Sequence, residues 1–266
     1  MVEYLAGNRI RGTNSERVSN ATLTFSDDFS SDNATDQHSA KIGVANNRWE
    51  FIAERDNTND SSALTLSSAL SDSKWCMDFD FYLNAVTLGN KVIWFAVSNE
   101  DETSSRSGTT KHSVYMAMGA GTGSTDDNIF LYSTYNSSMS NGETGKPAFS
   151  LTTDNADETT HFCRMLRDGT VIKLIFYTTI DRTTASETLE TTINASATGL
   201  QYIVLHNFDN FGGHTGTLTG YIDNIKIYDT VTAPITYPLN VVDGSIFYET
   251  DTNKSYVLYN GTWSEV

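Results

Sequence analysis

The sequence predicts an all-β protein: an antiparallel two-sheet sandwich with an extended N-terminal arm before it and a small C-terminal β-hairpin after it. Three observations carry this. Trp75, Met77, Phe79, Phe81 and Leu83 alternate with Cys76, Asp78, Asp80 and Tyr82, the period of two that marks a strand covered on one face. Ile225 and Ile227 alternate in the same way with Asn224 and Lys226. Ser, Thr, Asn and Asp dominate the polar residues, and no stretch has helical periodicity, a balance that favours strands and turns.

Along the chain, residues 1–22 read as a polar arm containing Arg9 and Arg11, and residues 23–230 as the sandwich. Residues 231–266 read as a proline-interrupted linker and a hairpin. Val92–Val97 is apolar on both faces, as a strand covered on both sides requires. Val114–Met118 and Ile129–Tyr132 flank a glycine-rich turn. Phe162–Arg167 and Val171–Tyr177 form a hairpin in which Asp168-Gly169 supplies the positive φ angles of a tight turn. Tyr202–Leu205 is a further apolar strand. The loops at 53–62, 99–112, 119–128, 136–147 and 207–219 are long and polar, the places where a rigid sandwich carries binding functions.

Composition removes several function classes. The net charge of −16, from 17 Lys and Arg against 33 Asp and Glu, repels phosphate backbones and anionic lipid. Neither nucleic acid nor membrane is expected as a partner. No apolar run approaches a membrane span, and the first residues lack the basic start of a signal peptide, so synthesis in the cytoplasm is expected. The two cysteines, Cys76 and Cys163, read as buried thiols on neighbouring strands, with a bridge as the alternative. Gly119–Gly123 is no dinucleotide site, because no helix follows it. The histidines show no zinc spacing.

Four segments, in order, carry a family resemblance: Asp27-Asp28-Phe29, Trp75–Leu83, Arg167-Asp168-Gly169-Thr170 and Tyr221-Ile222-Asp223-Asn224-Ile225. Together they resemble the concanavalin A-like lectin/glucanase family, a jelly roll shared with laminin G-like domains, over residues 23–230. The ends carry a second resemblance. Tyr4–Thr13, with Glu16 and Arg17, is similar to the opening of structural proteins from marine tailed phages and related archaeal viruses. Gly244–Lys254 and Tyr256–Trp263 are similar to the closing hairpin of phage head and tail proteins. A lectin-like domain often sits between such ends.

The resemblance implies three kinds of site, each with a plainer alternative. Glucanases of this fold set acidic residues on alternate positions of one strand. Asp78 and Asp80 have that spacing, but Tyr82 stands where a third carboxylate belongs. The expectation is solvated strand positions and no enzyme, with a glycan hydrolase as the weakest alternative. Asp27, Asp28, Asp223 and Asn224 lie where related sandwiches hold a structural Ca²⁺, the one candidate cofactor; the alternative is that they cap turns. His206, Asn207, Phe208, Asp209, Asn210, Phe211 and His214 mix stacking rings with hydroxyl partners on one loop, with Trp94 or Tyr135 assisting. That mix suits sugar, although exposed aromatics also seal subunit interfaces.

The implied function is a virion structural protein, a capsid decoration or a tail or fibre component at the particle surface. Its expected partners are the major capsid or tail protein, copies of itself, and host glycans. The alternative is a carbohydrate-binding adhesin. Arg9, Arg11, Phe247, Tyr248, Tyr256, Tyr259 and Trp263 are the expected assembly residues, since a lone exposed hairpin is marginal in water and must dock against its own sandwich or a neighbouring subunit; the alternative is an arm folded back on its own domain.

Overall fold

The computed structural model describes residues 3–5, 9–12, 22–37, 41–54, 61–86, 92–101, 111–120, 127–136, 138–141, 149–150, 159–180, 182, 184–208, 217–229, 243–259 and 262–266. Among the described residues there is no helix, and the strands run in chain order. The first seven are β1 (Glu3–Leu5), β2 (Arg9–Gly12), β3 (Thr22–Asp27), β4 (Thr35–Gln37), β5 (Ile42–Ala45), β6 (Arg48–Glu54) and β7 (Ser61–Thr65). Next come β8 (Lys74–Val86), β9 (Val92–Ser98), β10 (His112–Ala120), β11 (Asp127–Tyr135), β12 (Ser138–Asn141), β13 (Phe149–Ser150) and β14 (Thr160–Asp168). The last are β15 (Val171–Tyr177), β16 (Ala185–Thr192), β17 (Tyr202–Phe208), β18 (Thr217–Asp229), β19 (Ile246–Glu249), β20 (Lys254–Tyr259) and β21 (Thr262–Glu265).

Two eight-stranded antiparallel sheets make the sandwich. One, the β8 sheet, has the order β16-β15-β14-β8-β18-β6-β5, with β3 also pairing β18. The other, the β9 sheet, has the order β12-β11-β10-β9-β17-β7-β4, with β13 also pairing β11. The first and last strands of the sandwich pair as expected, with Ile225 opposite Asp27.

Alternation in the sequence decides which side chains enter the core. From the β8 sheet come Trp49, Phe51, Trp75, Met77, Phe79, Phe81, Ile222, Ile225 and Ile227, all buried. From the β9 sheet come Leu64, Phe95, Val97, Val114, Met116, Ile129, Leu131, Ile203 and Leu205. Aromatic rings bridge the two layers: Phe79 and Phe95 lie 4.7 Å apart, and Trp49 meets Phe95 edge-on at 6.3 Å. The buried indole N–H of Trp49 donates to Ser62 Oγ across the core at 2.8 Å, which removes its desolvation cost.

Three details differ from the sequence reading. In the β14–β15 turn the positive φ belongs to Gly169 alone (φ 62), while Asp168 stays in the strand opposite Val171. The N-terminal arm is partly made of strands. Its strands β1 and β2 join the C-terminal strands in a third, five-stranded sheet of order β1-β2-β19-β20-β21. There β2 runs parallel to β19, with Arg9 opposite Ile246 and Arg11 opposite Tyr248. The closing element itself has three strands, β19 to β21, rather than two.

Gly220 sits where the β8 sheet leaves no room for a side chain. A Cβ there would sit 2.2 Å from the Tyr82 backbone oxygen and 2.8 Å from Phe51 Cζ. Backbone cannot yield as a flexible side chain can. Gly220→Ala should therefore cost about 3 kcal/mol, the upper end of overpacking penalties. Urea unfolding should show a lower midpoint at an unchanged m-value.

Candidate functional site

The outer face of β8 is where the sequence reading needs its largest correction. Asp78 and Asp80 are not solvated; they are 1% and 3% exposed. Arg164 on β14 stands opposite Asp78 and grips both its oxygens, Nε to Oδ1 at 2.6 Å and Nη2 to Oδ2 at 2.9 Å. Asp80 Oδ1 accepts from Arg182, and Asp80 Oδ2 accepts from the Asn224 side-chain amide at 3.0 Å. Arg182 also donates to the carbonyls of Cys163, Phe79 and Ile180.

Local backbone explains how these partners arrive. Between Asp223 and Lys226 the β18 strand bulges against β8, and Asn224 takes a left-handed conformation (φ 53) that brings its amide to Asp80. Arg182, also left-handed (φ 53), enters from the segment between β15 and β16. Burial pushes Asp80 above the ordinary aspartate value, outweighing the pull of Arg182 and Asn224. Such a carboxyl holds its proton more tightly folded than unfolded. Its contribution to stability is thus present below the ordinary value and lost as pH rises through the raised one. All four oxygens of the two aspartates are engaged by protein donors and out of water.

At the expected calcium position, Asp27 is buried and its oxygens accept from the Phe29 N–H at 2.7 Å and the Asn33 amide at 3.3 Å. Asp28 Oδ1 accepts from the Ser30 N–H, and hydrogen bonds with Ser30 hold its carboxyl below the ordinary value. Asp223 accepts from the Asn224 N–H, and burial raises it. These are turn-capping bonds. Among the described residues no three His, Cys, Asp or Glu side chains converge on a point a metal could fill.

Of the proposed sugar loop, His206 is buried on the outer face of the β9 sheet, opposite Ser61 and Trp94. Asn207 and Phe208 continue β17 opposite Ile93 and Val92, while Asp209, Asn210, Phe211 and His214 lie outside the described residues. Tyr135 turns instead to His112, ring to ring at 4.8 Å. What the sequence reading missed is an aromatic cluster on the same outer face. Tyr115 and Tyr132 stack at 5.3 Å, Phe130 packs against Tyr132 at 6.0 Å, and Ala63, Ala96, Ala117 and Val204 floor the same face. Phe130 is 37% exposed. Tyr115 and the small residues are buried, so the ring surface this face offers to solvent is that of Phe130 and the half-buried Tyr132.

The terminal sheet sorts its aromatics by face. Phe247 is buried and meets Trp263 edge-on at 5.9 Å, with Leu258 buried beside them, so Phe247 is no exposed assembly residue. Tyr256 and Trp263 are half-buried. The opposite face carries Ile246, Tyr248 and Tyr259, the last 68% exposed.

A cleft of about 560 Å³ opens on the outer face of β6, β18 and β8, lined among others by Arg48, Glu50, Tyr82, Asn84, Thr219 and Tyr221. Tyr82 and Tyr221, opposite one another in the ladder, stack at 5.0 Å, and the Arg48 guanidinium lies 4.1 Å above the Tyr221 ring.

No known family pattern and no curated protein matches the sequence. Solved structures are similar at the level of the fold. A sialidase superposes on 79% of this chain at 11% identity with a TM-score of 0.48, the chain spanning only 19% of it. A Bacillus subtilis protein of unknown function with a galectin-like fold matches 78% of this chain and 96% of its own length, at 8% identity and a TM-score of 0.49. Lectin II from Ulex europaeus matches 77% of this chain and 97% of its own, at 10% identity and 0.46.

Two outcomes follow from the β8 network. Asp78→Ala should cost about 3–5 kcal/mol in urea unfolding, because it strands a buried guanidinium, whereas Asp78→Leu with Arg164→Met should recover most of that loss. Cys76 and Cys163 are free, fully buried and on opposite faces of their sheet, and burial raises both thiols. A thiol reagent should label neither in the native protein and both after unfolding.

Proposed function

We propose that the chain is a non-enzymatic structural component of a virus particle. It holds to other virion proteins and to copies of itself through the sheet made from its two ends, and it presents the sandwich to host glycans. The observation that carries the reading is the ladder shared by Arg9–Gly12 and Ile246–Glu249. Both extremities are spent on one small element whose hydrogen bonds, among the described residues, are internal to it.

That element is suited to association. Ile246, Tyr248 and Tyr259 crowd one exposed face, and aromatic residues of this kind are what interfaces bury. Its outermost strands, β1 and β21, each pair on one side only among the described residues, leaving edges that a neighbouring strand can extend. The sandwich is then free to carry recognition. The part-exposed Phe130 and Tyr132 rings on the outer face of the β9 sheet support sugar contact, and the engaged carboxylates of Asp78 and Asp80 support a role without hydrolysis.

Two substitutions test the halves of the reading separately. Tyr259→Asp should leave melting temperature unchanged but remove the protein from purified particles; undiminished incorporation would count against end-mediated anchoring. Tyr132→Ala should lower binding on a glycan array about tenfold, the loss of roughly 1.4 kcal/mol of stacking.

A further inference from the structure

We infer that the cleft over β6, β18 and β8 is a second ligand site, on the opposite sheet from the Phe130 and Tyr132 rings, and that it takes a sugar bearing a carboxylate.

Arg48 is the first reason. In a chain of net charge −16, cations facing solvent have carboxylates to choose from. Yet among the described residues the Arg48 guanidinium forms no ion pair within 4.0 Å. Glu50, two residues along the same strand face, accepts instead from the Asn46 amide at 3.0 Å. Arg48 rests on the Tyr221 ring, itself stacked on Tyr82, so the planar fork is held in place while its N–H edge stays available.

Thr219 is the second. It lines the cleft, and its hydroxyl oxygen is buried without a hydrogen-bond partner among the described residues. A buried hydroxyl left unpaired is costly, and a ligand hydroxyl would satisfy it.

The remaining groups select the class. One guanidinium balances one negative charge, and the carboxylates of Glu50 and of Asp223, the latter close enough to feel Arg48, oppose a dianion such as phosphate. Glu50 accepts hydroxyl protons, the Asn84 amide donates and accepts, and Ile52 with the tyrosine edges gives the apolar wall a pyranose ring packs against. A monoanionic, hydroxyl-rich ring satisfies all of them together, and a uronic acid unit is the simplest such ligand.

The experiment is calorimetric titration of the full chain with tetragalacturonate and with its methyl ester, which keeps the skeleton and removes the charge. The acid should bind at least tenfold more tightly than the ester. Arg48→Gln, at an exposed position, should bring the acid down to the ester's affinity and leave the ester unchanged. Thr219→Val should weaken acid and ester equally while raising the melting temperature, a pairing that loss of structure would not give. Equal binding of acid and ester, no binding of either, or an acid preference that survives Arg48→Gln would overturn the inference. So would N-acetylglutamate binding as well as the tetramer, since the sugar would then be irrelevant. Tyr132→Ala should leave this titration unaltered. If it abolishes acid binding, the ligand sits on the other face and the cleft is not its site; if it only weakens the glycan array, the two readings stand apart.

Discussion

Everything in the sandwich depends on β8 carrying two incompatible chemistries on its two faces. Its inner residues, Trp75 through Leu83, are hydrocarbon and hold the sheets together. Its outer residues include Asp78 and Asp80, which the fold also takes out of water. An isolated carboxylate there would be prohibitive, so the neighbouring elements are committed to compensating it. Arg164 fixes the register of β14 against β8. Asn224 requires the β18 bulge, and Arg182 ties the β15–β16 connection back onto the sheet. Hydrophobic pattern alone would accept several strand registers; these charge pairs accept one.

The sequence made the strongly alternating strands legible, because period-two patterning is local. β8, β15 and β18 fall where Trp75–Leu83, Val171–Tyr177 and Ile225–Ile227 point. It did not reveal β5, β6, β7 or β16. Arg48–Glu54 mixes charges with Trp49 and Phe51, and Ala185–Thr192 is an edge strand with a mostly exposed pattern, Ser, Thr and Glu giving little contrast between faces. Nor could it reveal that Asp78 and Asp80 are covered. Arg164 offered a hint, a charge set among Phe162, Cys163, Met165 and Leu166, but Arg182 lies in a turn-rich segment with no periodicity to place it.

The sites divide along the same line. Tyr82 and Tyr221 are 139 positions apart in sequence, and only the β8–β18 ladder makes them a stacked pair. The cluster of Tyr115, Tyr132 and the small residues around Ala96 likewise arises from cross-strand register. His206 was legible as a candidate because the stretch it opens is compositionally unusual. The cluster residues were not, since each belongs to a strand that reads as ordinary core.

The parallel ladder between β2 and β19 has a mechanical corollary. N- and C-terminal strands occupy opposite margins of one small sheet, so tension applied to the chain's two extremities first peels β1 and β21 from that sheet. The sandwich is spliced between β2 and β19 as a closed loop and bears no pull until that ladder shears. The outer surfaces of the sandwich would keep their shape under a strain that had already begun to unzip the terminal sheet.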